Sequence, residues 1–259
     1  MNHYLVKDQL NRTVHLSGIP RRIISLVPSQ TELLYDLGLD EEVVGITKFC
    51  VHPRSWFQTK KRVGGTKKLH LEIIRQLQPD LIIANKEENN QADIEALEKE
   101  FPVWVSDIQI IQDALGMIAA IGEMTAKEQL ASQLIFHIQT AFNQPISKNR
   151  TAVYAIWCNP WMFAGTDTFI TEMMREAGFE NIIQDSRYPI LDEEQIKSLN
   201  PEYILLSSEP FPFAEKHKTH WKNILPETEV ILVDGEYFSW YGSRMLKAID
   251  YFRTLNETL

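Results

Sequence analysis

Cys50 and His52 stand two residues apart in the run Lys48-Phe49-Cys50-Val51-His52-Pro53-Arg54-Ser55-Trp56. Thiolate and imidazole both suit cobalt, iron and zinc, so the pair offers part of a metal site. A closed site needs about four such donors, and no second Cys/His pair lies nearby in sequence. The other reading is that Cys50 packs as a small apolar residue and His52 caps a turn before proline. On that reading Phe49, His52 and Trp56 line a cleft. Cys158 is the other cysteine, and one distant pair does not make a disulfide framework.

Two more loops concentrate aromatic side chains. Trp157-Cys158-Asn159-Pro160-Trp161-Met162-Phe163-Ala164-Gly165 holds apolar area that is costly to leave in water. Trp157 and Trp161 either wall a large planar ligand or pack inside the protein. Asp234 to Arg244 brings Tyr237, Phe238, Trp240 and Tyr241 together with an arginine. Arg244 suits ligand carboxylates or amides, or the carbonyls at a helix start. Either tyrosine, Tyr237 or Tyr241, is of a type that ligates haem iron. Phe211 and Phe213 in Ser207-Ser-Glu-Pro-Phe-Pro-Phe213 are further pocket candidates. Asn89 and Asn90, after Glu87-Glu88, are either amide donors to a ligand or a plain helix start.

The elements that position these loops come in two related sets. Thr31-Glu-Leu-Leu-Tyr-Asp-Leu-Gly38 recurs as Thr171-Glu-Met-Met-Arg-Glu-Ala-Gly178, each reading as a helix with a Thr-Glu start and a glycine stop. Glu72-Ile-Ile-Arg-Gln-Leu-Gln-Pro79-Asp-Leu-Ile-Ile recurs as Glu194-Gln-Ile-Lys-Ser-Leu-Asn-Pro201-Glu-Tyr-Ile-Leu, a short helix ended at proline and running into a buried strand. Strands are expected over 22–27, 43–46, 81–84 and 103–105 in the first half. In the second they are expected over 152–157, 181–183, 203–206 and 230–233. Ile, Val and Leu without polar alternation, between helices, indicate parallel sheets covered on both faces. The fold class is therefore α/β, with two Rossmann-like lobes. The run 111–142 has mostly helical spacing with no Gly/Ser linker, so a long rigid helix joins them. The expected divisions are 1–108, 109–148 for the connecting helix, and 149–259. Open parallel sheets take ligands at the carboxyl ends of their strands, where all these loops begin.

Composition narrows the function. The formal net charge of -9 and pI near 5.3 argue against nucleic acid, which needs a concentrated basic face. No run approaches the roughly 20 apolar residues of a membrane helix. Met1 to Gly18 has no apolar core and no small-residue cleavage site. The expectation is a cytoplasmic protein if Met1 is native, or a periplasmic or cell-surface one if a leader precedes it. There is no Gly-rich phosphate loop, no Gly-x-Ser-x-Gly and no His-Glu-x-x-His, so no catalytic pattern supports an enzyme.

Taken together, these motifs resemble the helical-backbone (class III) substrate-binding proteins of ABC importers, which serve cobalamin, haem and ferric siderophores. The likeness runs from about Arg22 to Leu255. It rests on Arg22-Ile-Ile-Ser-Leu-Val-Pro-Ser-Gln-Thr-Glu32, Val63-Gly-Gly-Thr-Lys67, Leu71-Glu72, Gln78-Pro-Asp-Leu-Ile-Ile83, Asn159-Pro160, Ala164-Gly165 and Gly178-Phe-Glu-Asn-Ile182. The resemblance implies a monomeric binding protein, with no intrinsic cofactor, that holds a metal-bearing ligand in a cleft between the lobes. A corrinoid ranks first, a ferric siderophore second and haem third. The residues expected to touch ligand are Phe49, Cys50, His52, Trp56, Thr66, Trp157, Trp161, Phe211, Phe238, Trp240, Tyr241 and Arg244. Cobalamin-binding members place a tryptophan where this chain has Gly64-Gly65-Thr66-Lys67. In the family one acid per lobe docks into arginine pockets of the membrane subunits, which implies Glu72 and Glu194 here; the plain alternative is two good first-turn glutamates. Two other classes stay open: a cytoplasmic metal- or corrinoid-handling protein or enzyme using Cys50 and His52, and an interaction module built on Glu72 and Glu194.

Overall fold

The computed structural model describes residues 4–144, 146 and 148–259 and divides into two units. Unit 1 comprises residues 1–108, 112–137 and 241–244. Unit 2 comprises residues 109–111, 138–240 and 245–259. Of the segment 109–148 expected to connect the lobes, residues 112–137 belong to unit 1 and the remainder to unit 2.

Unit 1 opens with an antiparallel hairpin of β1 (Tyr4–Lys7) and β2 (Thr13–Leu16). There follow β3 (Ile23–Ser25), α1 (Pro28–Asp36), β4 (Val43–Ile46), α2 (Arg54–Thr59) and β5 (Lys61–Arg62). A small hairpin of β6 (Gly64–Gly65) and β7 (Lys68–Leu69) leads to α3 (Leu71–Leu77), β8 (Leu81–Asn85), α4 (Gln91–Glu98) and β9 (Val103–Ser106). The main sheet runs β5-β4-β3-β8-β9, all parallel. Its central strands are buried on both faces, which is why they read as unbroken apolar runs.

The connecting segment is helical, as its spacing predicts, but in two pieces: α5 (Ile111–Met124) and α6 (Glu128–Phe142). The break centres on Ala126, whose backbone lies in the left-handed region at φ +55°. Gly122 lets the two helices touch there, since a Cβ on it would come within 2.4 Å of the Ala131 methyl carbon. Nothing in Thr125-Ala126-Lys127 announces a break, because neither Gly nor Pro is present.

Unit 2 contains β10 (Arg150–Trp157), β11 (Met162–Ala164), α7 (Phe169–Glu176), β12 (Phe179–Asn181) and α8 (Glu193–Leu199). It continues with β13 (Tyr203–Ser207), α9 (Glu215–Ile224), β14 (Glu229–Val233), α10 (Glu236–Ser239) and α11 (Met245–Glu257). Its sheet runs β11-β10-β13-β14, with β12 also on β10 and β11 antiparallel.

The sequence repeats become structural repeats. Helices α1 and α7 end at glycines in the left-handed region, Gly38 at φ +73° and Gly178 at +82°. Both begin slightly ahead of their Thr-Glu pair. Pro28 supplies a pre-set first position in α1, and Thr168 caps α7 by accepting from the Thr171 N–H. Helices α3 and α8 both stop at a left-handed residue before proline, Gln78 and Asn200. The acid after each proline then fixes the start of the neighbouring strand. Asp80 accepts from the N–H groups of Arg21 and Arg22, and Glu202 from that of Thr151.

Candidate functional site

At the carboxyl end of β4, the chain turns through Lys48 to Pro53 into α2. Phe49 is half exposed, with the Lys48 ammonium 4.9 Å from its ring centre. Gly65 is what lets that ring lie down, since a Cβ there would sit 3.1 Å from Phe49. Beside it opens a hollow of about 560 Å³ floored by the buried Gly64, Gly65 and Thr66. Lys48, Arg62, Lys67 and Lys68 stand around it with His70. Phe49 and Thr66 are the sequence-expected residues that this hollow brings together. The basic rim is not visible in the sequence, because Lys and Arg scattered over 48–68 read as ordinary surface.

Cys50 is fully buried, its sulfur 3.0 Å from Thr31 Oγ1 and 3.1 Å from Thr47 Oγ1, and burial pushes its thiol up. A buried protonated thiol is a poor metal ligand, since the thiolate is the binding form. Among the described residues no three His, Cys, Asp or Glu side chains gather to hold a metal. Trp56 is also buried, edge-on to Tyr35, and so packs α2 down rather than facing the hollow.

Asn89 belongs to the scaffold as well. It is buried, accepts from the Asn85 N–H, and donates toward the carbonyls of Leu26 and Thr66. It thereby ties three carboxyl-end loops together. Asn90 caps α4 through the Asp93 N–H, the plain helix-start role. Arg244 and Tyr241 are buried in unit 1. The guanidinium grips Glu32 with two bonds, Nε to Oε2 at 2.7 Å and Nη2 to Oε1 at 2.9 Å. Glu32 is the glutamate of the first repeat. Burial pushes the Tyr241 phenol well above its usual range, so it stays protonated.

Unit 2 presents a different surface at the ends of β10 and β13. Trp157 is 40% exposed and meets Phe211 edge-on at 5.5 Å. Trp161 stacks flat on Phe213, with ring centres 5.7 Å apart and planes 2° from parallel, and also on His220. It packs against the apolar core of this unit, so it serves that core as much as any surface. Phe238 is wholly buried between Tyr154 and Phe252. Trp240 is buried too, its indole N–H donating to Glu209 Oε1 at 2.8 Å. The same oxygen accepts from Ser239 Oγ. Burial raises the Glu209 carboxyl above the usual carboxylate range. Nothing in the sequence marks Glu209, because Ser-Ser-Glu-Pro looks like a solvated turn.

Glu72 and Glu194 occupy the first turns of α3 and α8, with side chains 80% and 82% exposed. Each has one basic neighbour three residues on, Arg75 at 2.5 Å and Lys197 at 3.7 Å. Among the described residues no helix is long and apolar enough to cross a membrane.

Comparison with known proteins adds to this geometry. The chain is 27% identical, over an alignment 262 positions long, to an uncharacterized ABC transporter substrate-binding lipoprotein of Bacillus subtilis, covering 95% of this chain and 82% of that protein. It is 26% identical over 247 residues to a vitamin B12-binding protein of Pectobacterium carotovorum, covering 89% and 86%. Among solved structures, an apo periplasmic heme-binding protein of Roseiflexus sp. RS-1 superposes with a TM-score of 0.79 at 17% identity, covering 92% and 98%. At that identity the likeness speaks for the fold alone. The family model described as periplasmic binding protein matches residues 23–227, well over half the chain, so this protein belongs to the periplasmic binding protein family.

Proposed function

We propose that this protein is the substrate-binding component of an ABC importer, and that its ligand is a corrinoid. The observation that carries the ligand class is Trp157. It is a large aromatic left 40% open to water at the carboxyl end of a sheet, braced edge-on by Phe211. Such a surface gains most by covering a broad, largely apolar ring system. The sequence likeness to a vitamin B12-binding protein supports the same ligand. The likeness to a substrate-binding lipoprotein supports the importer role.

On this reading the protein works as a monomer on the outer side of the cytoplasmic membrane. Glu72 and Glu194, exposed at matching places of the repeat, pair with arginines of the membrane subunits. The protein carries out no covalent chemistry, and affinity comes from burying the ligand against preformed loops. Cys50 and His52 take no part as metal ligands, since the sulfur is sealed behind Thr31 and Thr47.

The test is a titration of the purified protein with cyanocobalamin, a ferric siderophore and haemin, followed by tryptophan fluorescence. The expected result is one-to-one quenching by cyanocobalamin, weakened at least tenfold by Trp157→Ala, about 1.4 kcal/mol or more. Saturation by haemin or the siderophore with no response to cyanocobalamin would replace the ligand class and leave the importer role standing.

A further inference from the structure

The hollow in unit 1 has a character that aromatic burial does not account for. Four cationic side chains, Lys48, Arg62, Lys67 and Lys68, stand around it, and no acid does. This occurs in a chain whose formal net charge is -9. Among the described residues Lys48, Arg62, Lys67 and Lys68 form no ion pair. Lys67 donates to the backbone carbonyl of Glu87, Arg62 to that of Lys60, and the Arg62 guanidinium lies 4.4 Å from the Phe57 ring centre. Their positive charge is thus left uncompensated by any carboxylate they touch. Grouped like charges repel one another, and an entering anion relieves that repulsion.

The floor fits the same purpose. Gly64, at φ +107°, brings the backbone so close to Lys68 and His70 that a Cβ would meet the Lys68 carbonyl oxygen at 2.6 Å. The hairpin is therefore held folded back, with Lys67 in its turn and Lys68 beside it at the start of β7. Asn89 fixes that turn from beneath by donating to the Thr66 carbonyl. The cations stand on a braced loop rather than a loose one, which lowers the ordering cost of gripping a ligand.

From this geometry we infer that the hollow seats an anionic oxygen group of the ligand. On the corrinoid reading, on which this inference rests for its choice of ligand, that group is the phosphodiester of the nucleotide loop. Unit 1 then reads the ligand's charge, and a ligand stripped of its phosphate loses the interaction.

Cyanocobalamin, which has the phosphodiester, and cobinamide, which lacks it, are titrated against the full chain at low and high salt. The wild type is expected to favour cyanocobalamin by roughly tenfold at low salt, the scale of two partly exposed charge pairs, with the gap narrowing as salt is added. A Lys67→Ala/Lys68→Ala variant should lose the gap and bind cobinamide as before, while Lys67→Arg/Lys68→Arg keeps it. A gap that persists in the alanine variant, or equal loss of both ligands, overturns the inference.

If neither corrinoid binds the wild type, the corrinoid reading fails by itself, and inorganic pyrophosphate tests the hollow directly by calorimetry. Saturable binding in the wild type that is absent from the alanine variant upholds the anion site. The same signal in both, or none in either, removes it.

Discussion

The two units are built on one plan and finished differently. In both, a short helix stops at a left-handed residue, a proline follows, and the next acid clamps the start of a neighbouring strand: Gln78-Pro79-Asp80 in unit 1, Asn200-Pro201-Glu202 in unit 2. The loops at the carboxyl ends of the strands share nothing comparable. Unit 1 carries cations around a glycine floor, whereas unit 2 carries Trp157, Phe211 and the partly buried Glu209. The repeat thus preserves what the chain needs in order to fold. The divergence lies in the carboxyl-end loops, as expected when a rigid scaffold positions variable loops.

The sharpest break between the halves is at one repeated glutamate. Glu32 is buried and bound by two bonds to Arg244. Its counterpart Glu172 pairs with Arg175, an arginine whose side chain is 66% exposed. Arg244→Ala leaves a carboxylate buried without its partner and should destabilise the protein by about 3–5 kcal/mol. Arg175→Ala should cost less, about 1 kcal/mol, because the Arg175 side chain is 66% exposed although that of Glu172 is only 13% exposed. Urea unfolding of both variants checks this. Glu32→Leu/Arg244→Met should recover most of the loss, because an apolar pair replaces the buried charges without their desolvation cost. Equal costs for the two arginines would show that the difference in burial does not set the two ion pairs apart.

That contrast also marks how far the sequence can be read. Both repeats and the buried strands are legible, because apolar runs and turn residues act locally. The β1–β2 hairpin is not, since Tyr4–Lys7 and Thr13–Leu16 are short and only half buried. Nor is the break at Ala126, which depends on Gly122 meeting Ala131. Among the site residues, type alone does not tell an exposed aromatic from a buried one. Trp157 and Phe49 stand open, whereas Trp56, Phe238, Trp240 and Tyr241 fill cores. Arg244 reads as a ligand contact because its partner lies more than two hundred residues away. Long-range pairing is what a single sequence hides.

A second, smaller break concerns pH. Glu209 is a carboxyl in unit 2 that burial holds above its usual range, despite accepting from Ser239 and Trp240. Its folded-state value is raised, so the fold binds its proton more tightly than the unfolded chain does. Wild-type stability should therefore fall as pH rises from the ordinary carboxylate range, about pH 4, through the raised value, and then level off. Glu209→Gln keeps an acceptor for the Trp240 N–H and removes the ionisation. The variant's thermal midpoint should gain on the wild type across that window and hold a constant lead above it. A difference independent of pH would mean that the carboxyl does not ionise at this cost.

The smallest effect tests the likeness of the units rather than their difference. Gln78 and Asn200 hold the same left-handed position, at φ +43° and +48°. Asparagine tolerates that region better than glutamine, because its short polar side chain bonds locally. Glycine tolerates it better than either. Gln78→Gly should stabilise by about 0.5–1 kcal/mol, less the exposed bond from its side chain to the Arg75 carbonyl. Asn200→Gly should gain only a few tenths of that unit. Urea midpoints resolve the two if the variants share one unfolding slope. A larger gain at Asn200 would mean that the two helix ends are not the same device, and that the likeness of the repeats does not extend to the backbone strain at Gln78 and Asn200.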